Sequence, residues 1–285
     1  MVSLKDRRLY SPGRFLVLAK TYPNPSARYQ ETVCVAAITP QCELVRLYPI
    51  KFRYLSGAMQ FRKWDWIRAR TRTPSDDRRP ESRRVDMDSL IRDGDSVGTE
   101  NGWASRRYWL ESNLFPSMGA LDLARRQVGT SLGVLKVDRL VDIKITSEPE
   151  PEWDEKQLAY LRQGQLLDRK RPMLRKLPIR VHYAYEIDTP AGTEEWTHRV
   201  FDWELGALFW NCQNLCGSDW EEPLRSRLSF EGCGLYLIMG TQHRFPDQWL
   251  IVGLAYPPLS TSGVSQPPLW THPSEGDAHS SGQSD

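Results

Sequence analysis

Cysteine is scarce and unpatterned in this sequence: five residues, an odd number, without regular spacing. A disulfide framework is therefore not expected, and the thiols read as reduced ones of an intracellular protein. Long apolar runs are also missing. Nothing approaches the ~18 consecutive apolar residues that a membrane-crossing helix needs. The opening MVSLKDRRLYSPGR has basic residues but no apolar stretch before Phe15, so no secretory signal is expected. Glycine loops of the Walker or Rossmann kind are absent, as are repeats of fixed period. These absences leave a cytoplasmic protein with no membrane contact and no indicated cofactor.

What is present is a folded composition. Of the 285 residues 40% are hydrophobic and 26% charged, enough for one large domain or two small ones. The eleven tryptophans read first as core fillers, with recognition surfaces as the other use of that side chain. The net charge of +2 conceals a polarity. Residues 1–84 hold 18 Lys/Arg against 7 Asp/Glu, whereas residues 181–285 hold 4 against 14. The basic third can attract a polyanion, and the acidic C-terminal third can dock a protein partner. Alternatively, the two thirds neutralise each other in the folded chain.

Residues 28–84 are the most informative stretch, because β-forming segments there alternate with arginine and aromatic residues. Apolar runs at 14–20 and 32–38 read as buried strands, the first bounded by Pro12-Gly13 and by Pro23 and Pro25. Residues 43–48 alternate, and the short 40–42 segment closes a hairpin. From 64 to 72 one strand face carries Trp64, Trp66, Arg68, Arg70 and Arg72. Residues 76–84, DDRRPESRR, lack apolar periodicity and form a solvated loop whose guanidinium groups suit phosphate oxygens.

The segment YQETVCVAAITPQCELVRLYPI, Tyr29 to Ile50, resembles the opening barrel of bacterial dual OB-fold proteins: a cysteine-bearing apolar strand, a short turn, then an arginine-bearing strand ending in proline. The resemblance implies a small antiparallel barrel whose open face binds single-stranded nucleic acid. It departs from that pattern at Ala37 and Tyr48.

Further along, helices are expected over 104–114 and 117–128, and a strand or strand pair over 132–145. TSEPEPEW at 146–153 reads as an acidic, proline-broken linker. A helix at 154–167 leads into a second basic patch with Arg169, Lys170 and Arg171. A hairpin follows at 180–201. Asp202 then caps the clearest helix, whose apolar face is Leu205, Leu208, Phe209, Cys212 and Leu215 or Cys216, ended by Gly217. Apolar strands at 234–241 and 249–256 complete the pattern. The fold class is α+β and β-rich: an antiparallel OB-like barrel in 1–147, a smaller α+β domain in 153–258, and a disordered tail in 259–285.

Catalytic spacing is weak throughout. Cys212, Cys216, Cys233 and His243 have zinc-binding side chains without knuckle spacing, so no metal site is assigned. Asp86, Asp88, Asp93 and Asp95 lack the later glutamate of a calcium loop. Cys212 lies late in its helix on the apolar face, a poor place for a nucleophile served by His198 or His243. Metal-dependent nuclease or other hydrolase chemistry would draw on His198, Asp202, Glu204 and His243. The leading expectation is a non-catalytic nucleic-acid-binding protein, a subunit of a prokaryotic assembly such as a defence system. Arg46, Arg53, Arg68, Arg70, Arg72, Arg78, Arg79, Arg169, Lys170 and Arg171 would contact RNA or DNA phosphates, and Trp64 or Trp66 would stack on bases. The other two readings are the hydrolase and a structural protein-interaction subunit.

Overall fold

The computed structural model describes residues 10–167 and 171–259. Arg169, Lys170 and all of the expected tail beyond Leu259 lie outside the described residues.

The N-terminal third forms a closed barrel. Strand β1 (Ser11–Lys20) pairs antiparallel with both β3 (Gln30–Ile38) and β5 (Trp66–Arg72). β3 pairs with β4 (Leu44–Ile50), β4 lies parallel to β6 (Ser82–Arg92), and β6 returns antiparallel to β5. The circuit β1-β3-β4-β6-β5-β1, with its single parallel pair, is the Greek-key strand order of an OB-fold barrel. A short strand, β2 (Asn24–Ser26), is appended to β3. The expected barrel is present; the one departure from an all-antiparallel reading is the β4–β6 pair.

The apolar run of β1 is explained by burial on both faces. Phe15 and Val17 point into the barrel with Val33, Val35, Val45 and Ile67. Leu16 and Leu18 point outward into a second core with Ala36, Ile38, Trp64, Trp66, Val134, Tyr236 and Ile238. That second core joins the barrel to the rest of the chain. Contact is close where β1 meets Gly253: a Cβ there would lie 2.3 Å from Ala19 Cβ, so only glycine fits.

The remaining chain builds a seven-stranded sheet. Helix α1 (Glu100–Glu111) begins with a left-handed turn at Asn101, Gly102 and Trp103, so regular helix starts at Ala104, as its sequence suggested. After it come β7 (Leu114–Phe115), α2 (Met118–Val128), β8 (Leu132–Val137), β9 (Arg139–Ser147), α3 (Glu155–Leu167), β10 (Ile179–Thr189) and β11 (Gly192–Val200). Helices α4 (Trp203–Cys216) and α5 (Glu221–Leu228) precede the final strands β12 (Leu235–Thr241) and β13 (Trp249–Ala255). The sheet order is β7-β8-β12-β13-β11-β10-β9. Only Asp138 separates β8 from β9, although β8 stands second in that order and β9 last. One residue spans ~3.8 Å, so the sheet must curl until its ends approach; Asp138 N–H indeed donates to Glu186 of β10.

Sheet membership changes between β6 and β7, across the segment 93–113 that holds α1. The 146–153 stretch is a connection within the second sheet's strand sequence, running from β9 to α3. It is anchored by buried Trp153, whose indole N–H donates to Leu174 carbonyl oxygen at 2.8 Å.

Helix α4 follows its sequence closely. The Asp202 side chain accepts from Glu204 N–H at 3.0 Å, and Leu205, Leu208, Phe209 and Cys212 are buried. The apolar face stops there: Leu215 is 76% exposed and Cys216 is exposed. Among the described residues no helix is long and apolar enough to cross a membrane.

Candidate functional site

A cleft of about 1080 Å³ opens between the barrel and the second sheet. Strand periodicity builds its barrel wall. Val33, Val35, Val45 and Leu47 fill the barrel interior, while Thr32, Cys34, Arg46 and Tyr48, on the other face of the same strands, line the cleft. The loop after β1 contributes residues 24–27. The loop between β5 and β6 contributes Pro74, Asp76, Asp77 and Arg79, and β6 adds Ser82, Arg83 and Arg84. Opposite stand Arg199, Phe201, Thr241, His243, Arg244 and Val252 of the second sheet and its loops, with Lys156, Gln157 and Tyr160 from the start of α3.

Among the described residues, seven cationic side chains line this space against three carboxylates, those of Asp76, Asp77 and Asp154. Arg46 is buried and donates to Ser131 Oγ at 2.7 Å and to Ser131 carbonyl oxygen at 2.8 Å. Burial lowers its pKa to about 10. Arg79 forks onto Asp77 and donates through Nη1 to Thr241 carbonyl oxygen at 2.6 Å. Desolvation works to raise the Asp77 carboxyl, but hydrogen bonds from Arg79 and Ser82 hold it well below the usual carboxylate range. Arg84 Nη2 donates to both carboxylate oxygens of Asp76, at 2.5 and 2.6 Å. Arg199 reaches Glu148 at 3.0 Å. Among the described residues, three buried atoms of cleft-lining side chains have no hydrogen-bond partner: Arg84 Nε, Arg199 Nε and Thr241 Oγ1.

Of the arginines singled out by sequence, the cleft gathers Arg46 and Arg79. Arg68 pairs with Asp93, Arg70 with Asp86, and Arg53 with Glu31, all away from the cleft. The Arg72 guanidinium lies 5.5 Å from the Tyr10 ring centre, Arg78 is exposed outside the cleft lining, and Arg171 lies 3.9 Å from the Tyr54 ring centre. Trp64 and Trp66 are 4% and 8% exposed, edge-on to Trp103 and Trp109. As placed, neither ring reaches a base. The face they share with the arginines passes from the inter-sheet core into solvent. Trp64 also stands outside the strand, at φ +69°.

The hydrolase candidates do not converge. Asp202 and Glu204 share the Lys63 ammonium at 2.7 and 2.8 Å. His198 Nδ1 lies 3.0 Å from Tyr185 Oη, with its ring stacked on Trp196. His243 is bonded to Asp76 carbonyl oxygen at 2.9 Å. Among the described residues no three His, Cys, Asp or Glu side chains come together as a metal site, so Cys212, Cys216, Cys233 and His243 do not form one.

Arg83 and Arg84 end the 76–84 run that reads as a loop in the sequence, but both lie on β6, paired with β4. Arg199, Thr241, Lys156 and Tyr160 carried no sequence signal, since their role depends on the docking of the second sheet.

Comparisons with known proteins follow the same division. Residues 12–112 match a family described as Domain of unknown function (DUF8758), and residues 115–274 match another described as Domain of unknown function (DUF8757). No curated protein matches. Among solved structures, a replication protein A heterotrimer bound to ssDNA shares 8% identity at a TM-score of 0.25. The aligned region takes in 87% of this chain and 65% of that one, so the chain spans about two thirds of its length. The single-stranded DNA binding protein from Thermus aquaticus, as a deletion mutant, shares 12% identity at 0.21, over 92% and 98% of the two chains. The barrel assignment rests on the strand order, not on these scores.

Proposed function

The chain belongs to the family described as Domain of unknown function (DUF8757), and we propose that it is a non-catalytic protein that binds single-stranded nucleic acid in the inter-sheet cleft. One observation carries the reading. The cleft is lined by the second and third barrel strands and by the first-second and fourth-fifth strand loops, the surface with which OB barrels hold oligonucleotides and oligosaccharides. Seven cations against three carboxylates favour the polyanion over the neutral sugar.

Fluorescence anisotropy of a labelled single-stranded oligonucleotide tests it. The net cleft charge corresponds to about four neutralised phosphates, so log K should fall with log salt at a slope of about −3, or roughly 50-fold weaker binding between 50 and 200 mM salt. No binding at 50 mM, or a slope near zero, would refute the proposal.

The same assay reads a variant with the opposite sign. The Asp76 side chain is 64% exposed, and its carboxylate occupies the Arg84 guanidinium where a phosphate would sit. Asp76→Asn should therefore tighten binding by roughly three- to fivefold, the scale of one exposed ion pair. Weaker binding would show that Asp76 orders the loop rather than competing with the ligand.

A further inference from the structure

One wall of the cleft belongs to a sheet face that continues past it. On β13, Ile251 points into the second sheet's own core, while Leu250 and Val252 turn the other way and line the cleft. On β11, Val200 points into that core, and Arg199 and Phe201 line the cleft. The next two strands repeat the alternation. β10 buries Ile179, Val181 and Tyr183, and β9 buries Ile143 with Ile145 packed beside it. Arg180 and His182 of β10, and Lys144 of β9, therefore stand on the same face as the cleft wall.

Register turns these side chains into a row. Arg199 pairs with His182, and His182 pairs with Lys144. Adjacent strands lie about 4.8 Å apart, so the row leads ~10 Å from the cleft wall to β9, the last strand of the sheet. Lys144 is exposed and, among the described residues, enters no ion pair. Arg180 and Arg199 share one carboxylate, Glu148, at 2.5 and 2.8 Å from the first and 3.0 Å from the second. His182 reports the local field: burial lowers its pKa, and Arg199, Arg180 and Lys144 lower it further. The acidic residues of this face lie farther along the strands, Asp142 beside Ala184 and Glu195 beside Glu186. A polyanion leaving the cleft is drawn along the row and repelled from the far end.

We infer that a single strand bound in the cleft runs on across this face, its phosphates passing Arg199 and reaching Lys144 on the last strand of the sheet. The inference rests on the reading of the cleft as a nucleic-acid site. Continuity with the cleft favours the strand over an acidic protein segment as the occupant of the row. The second sheet then supplies a track as well as a wall, and the ligand is a strand longer than the cleft alone holds.

Anisotropy on the full chain at 50 mM salt, with single strands of 4 to 20 nucleotides, tests it. Affinity should rise with length until a strand covers both cleft and row. Lys144→Gln should bring that plateau about three nucleotides earlier, the number that ~10 Å holds at 3.4 Å each. For the longest strand it should weaken binding roughly three- to fivefold, the scale of one exposed ion pair, and make the salt slope shallower by about 0.7. The shortest strand that binds should be unaffected. Arg139→Gln is the control, because that guanidinium lies on the same strand but is already held by Glu186; it should change neither. An equal loss from Arg139→Gln, or equal effects of Lys144→Gln on short and long strands, overturns the inference while leaving the cleft as the binding site. A polyglutamate peptide that binds the wild type but not Lys144→Gln, with long strands unchanged, overturns it in favour of an acidic protein partner. Failure of strands of every length to bind refutes the underlying reading instead.

Discussion

Lys63→Met should destabilise the protein by about 3–5 kcal/mol, the range for removing one partner of a buried ion pair. The Lys63 ammonium bonds Asp202 Oδ2 at 2.7 Å, Glu204 Oε2 at 2.8 Å and Leu254 carbonyl oxygen at 3.1 Å. Its side chain is 8% exposed and that of Asp202 is 1% exposed. Burial works to lower the Lys63 pKa, but the two carboxylates overcome it and raise the group above its ordinary value. Methionine fills similar space but leaves a carboxylate charge in the interface core. Asp202 also accepts from Glu204 N–H and from Leu254 N–H at 3.2 Å, so it cannot turn away without breaking the cap of α4. Adding Asp202→Asn to Lys63→Met should recover much of the loss, because asparagine keeps the cap and carries no charge. Urea denaturation measures both. A Lys63→Met loss under 1 kcal/mol would mean that the pair is solvated and does not join the barrel to the second sheet.

Acidification should weaken the fold through His198. Burial lowers its pKa from 6.5 to about 4. The ring is held neutral between Tyr185, whose hydroxyl meets Nδ1, and Trp196. Below pH 6.5 the unfolded chain takes a proton there that the folded chain refuses, so unfolding gains as pH falls. The stability is fully present above pH 6.5 and is lost progressively down to about pH 4, amounting to roughly 3 kcal/mol. Carboxylates titrate in part of this window, so the useful quantity is the stability difference between the wild type and His198→Gln. That difference should shift by 2–3 kcal/mol between pH 7 and 4, in favour of the variant at the acid end. A difference independent of pH would show that His198 takes its proton freely in the fold.

The strands were legible because periodicity reports which faces are buried. β1 read as a continuous apolar run since both of its faces are covered, and β10 alternates Ile179, Val181, Tyr183, Tyr185 and Ile187 inward. The cap and buried face of α4 were readable up to Cys212, where the covering elements end. The segment from Tyr29 to Ile50 carried the OB-like resemblance, and it forms β3 and β4 of the barrel.

The site was only half readable. Composition showed that residues 28–84 are rich in arginine, but not which guanidinium groups are already held by carboxylates. Asp86 and Asp93 claim Arg70 and Arg68, although nothing local in sequence pairs them. By sequence the tryptophans beside those arginines read as stacking platforms. Trp64 and Trp66 instead cover the join between the sheets, a role set by docking. The polarity of charge also has a different meaning once folded: Lys63 of the basic third is held by Asp202 and Glu204 of the acidic third. Arg199, from that acidic third, completes the basic cleft.

Photo-cross-linking tests the central claim most directly. A single-stranded oligonucleotide irradiated on the protein at 50 mM salt, followed by mass spectrometry of the adducts, reports which aromatic side chains lie against bases. Adducts at Tyr48, Tyr160 and Phe201, which line the cleft, are the predicted result. Adducts confined to exposed rings elsewhere, such as Tyr108 and Phe245, would contradict it.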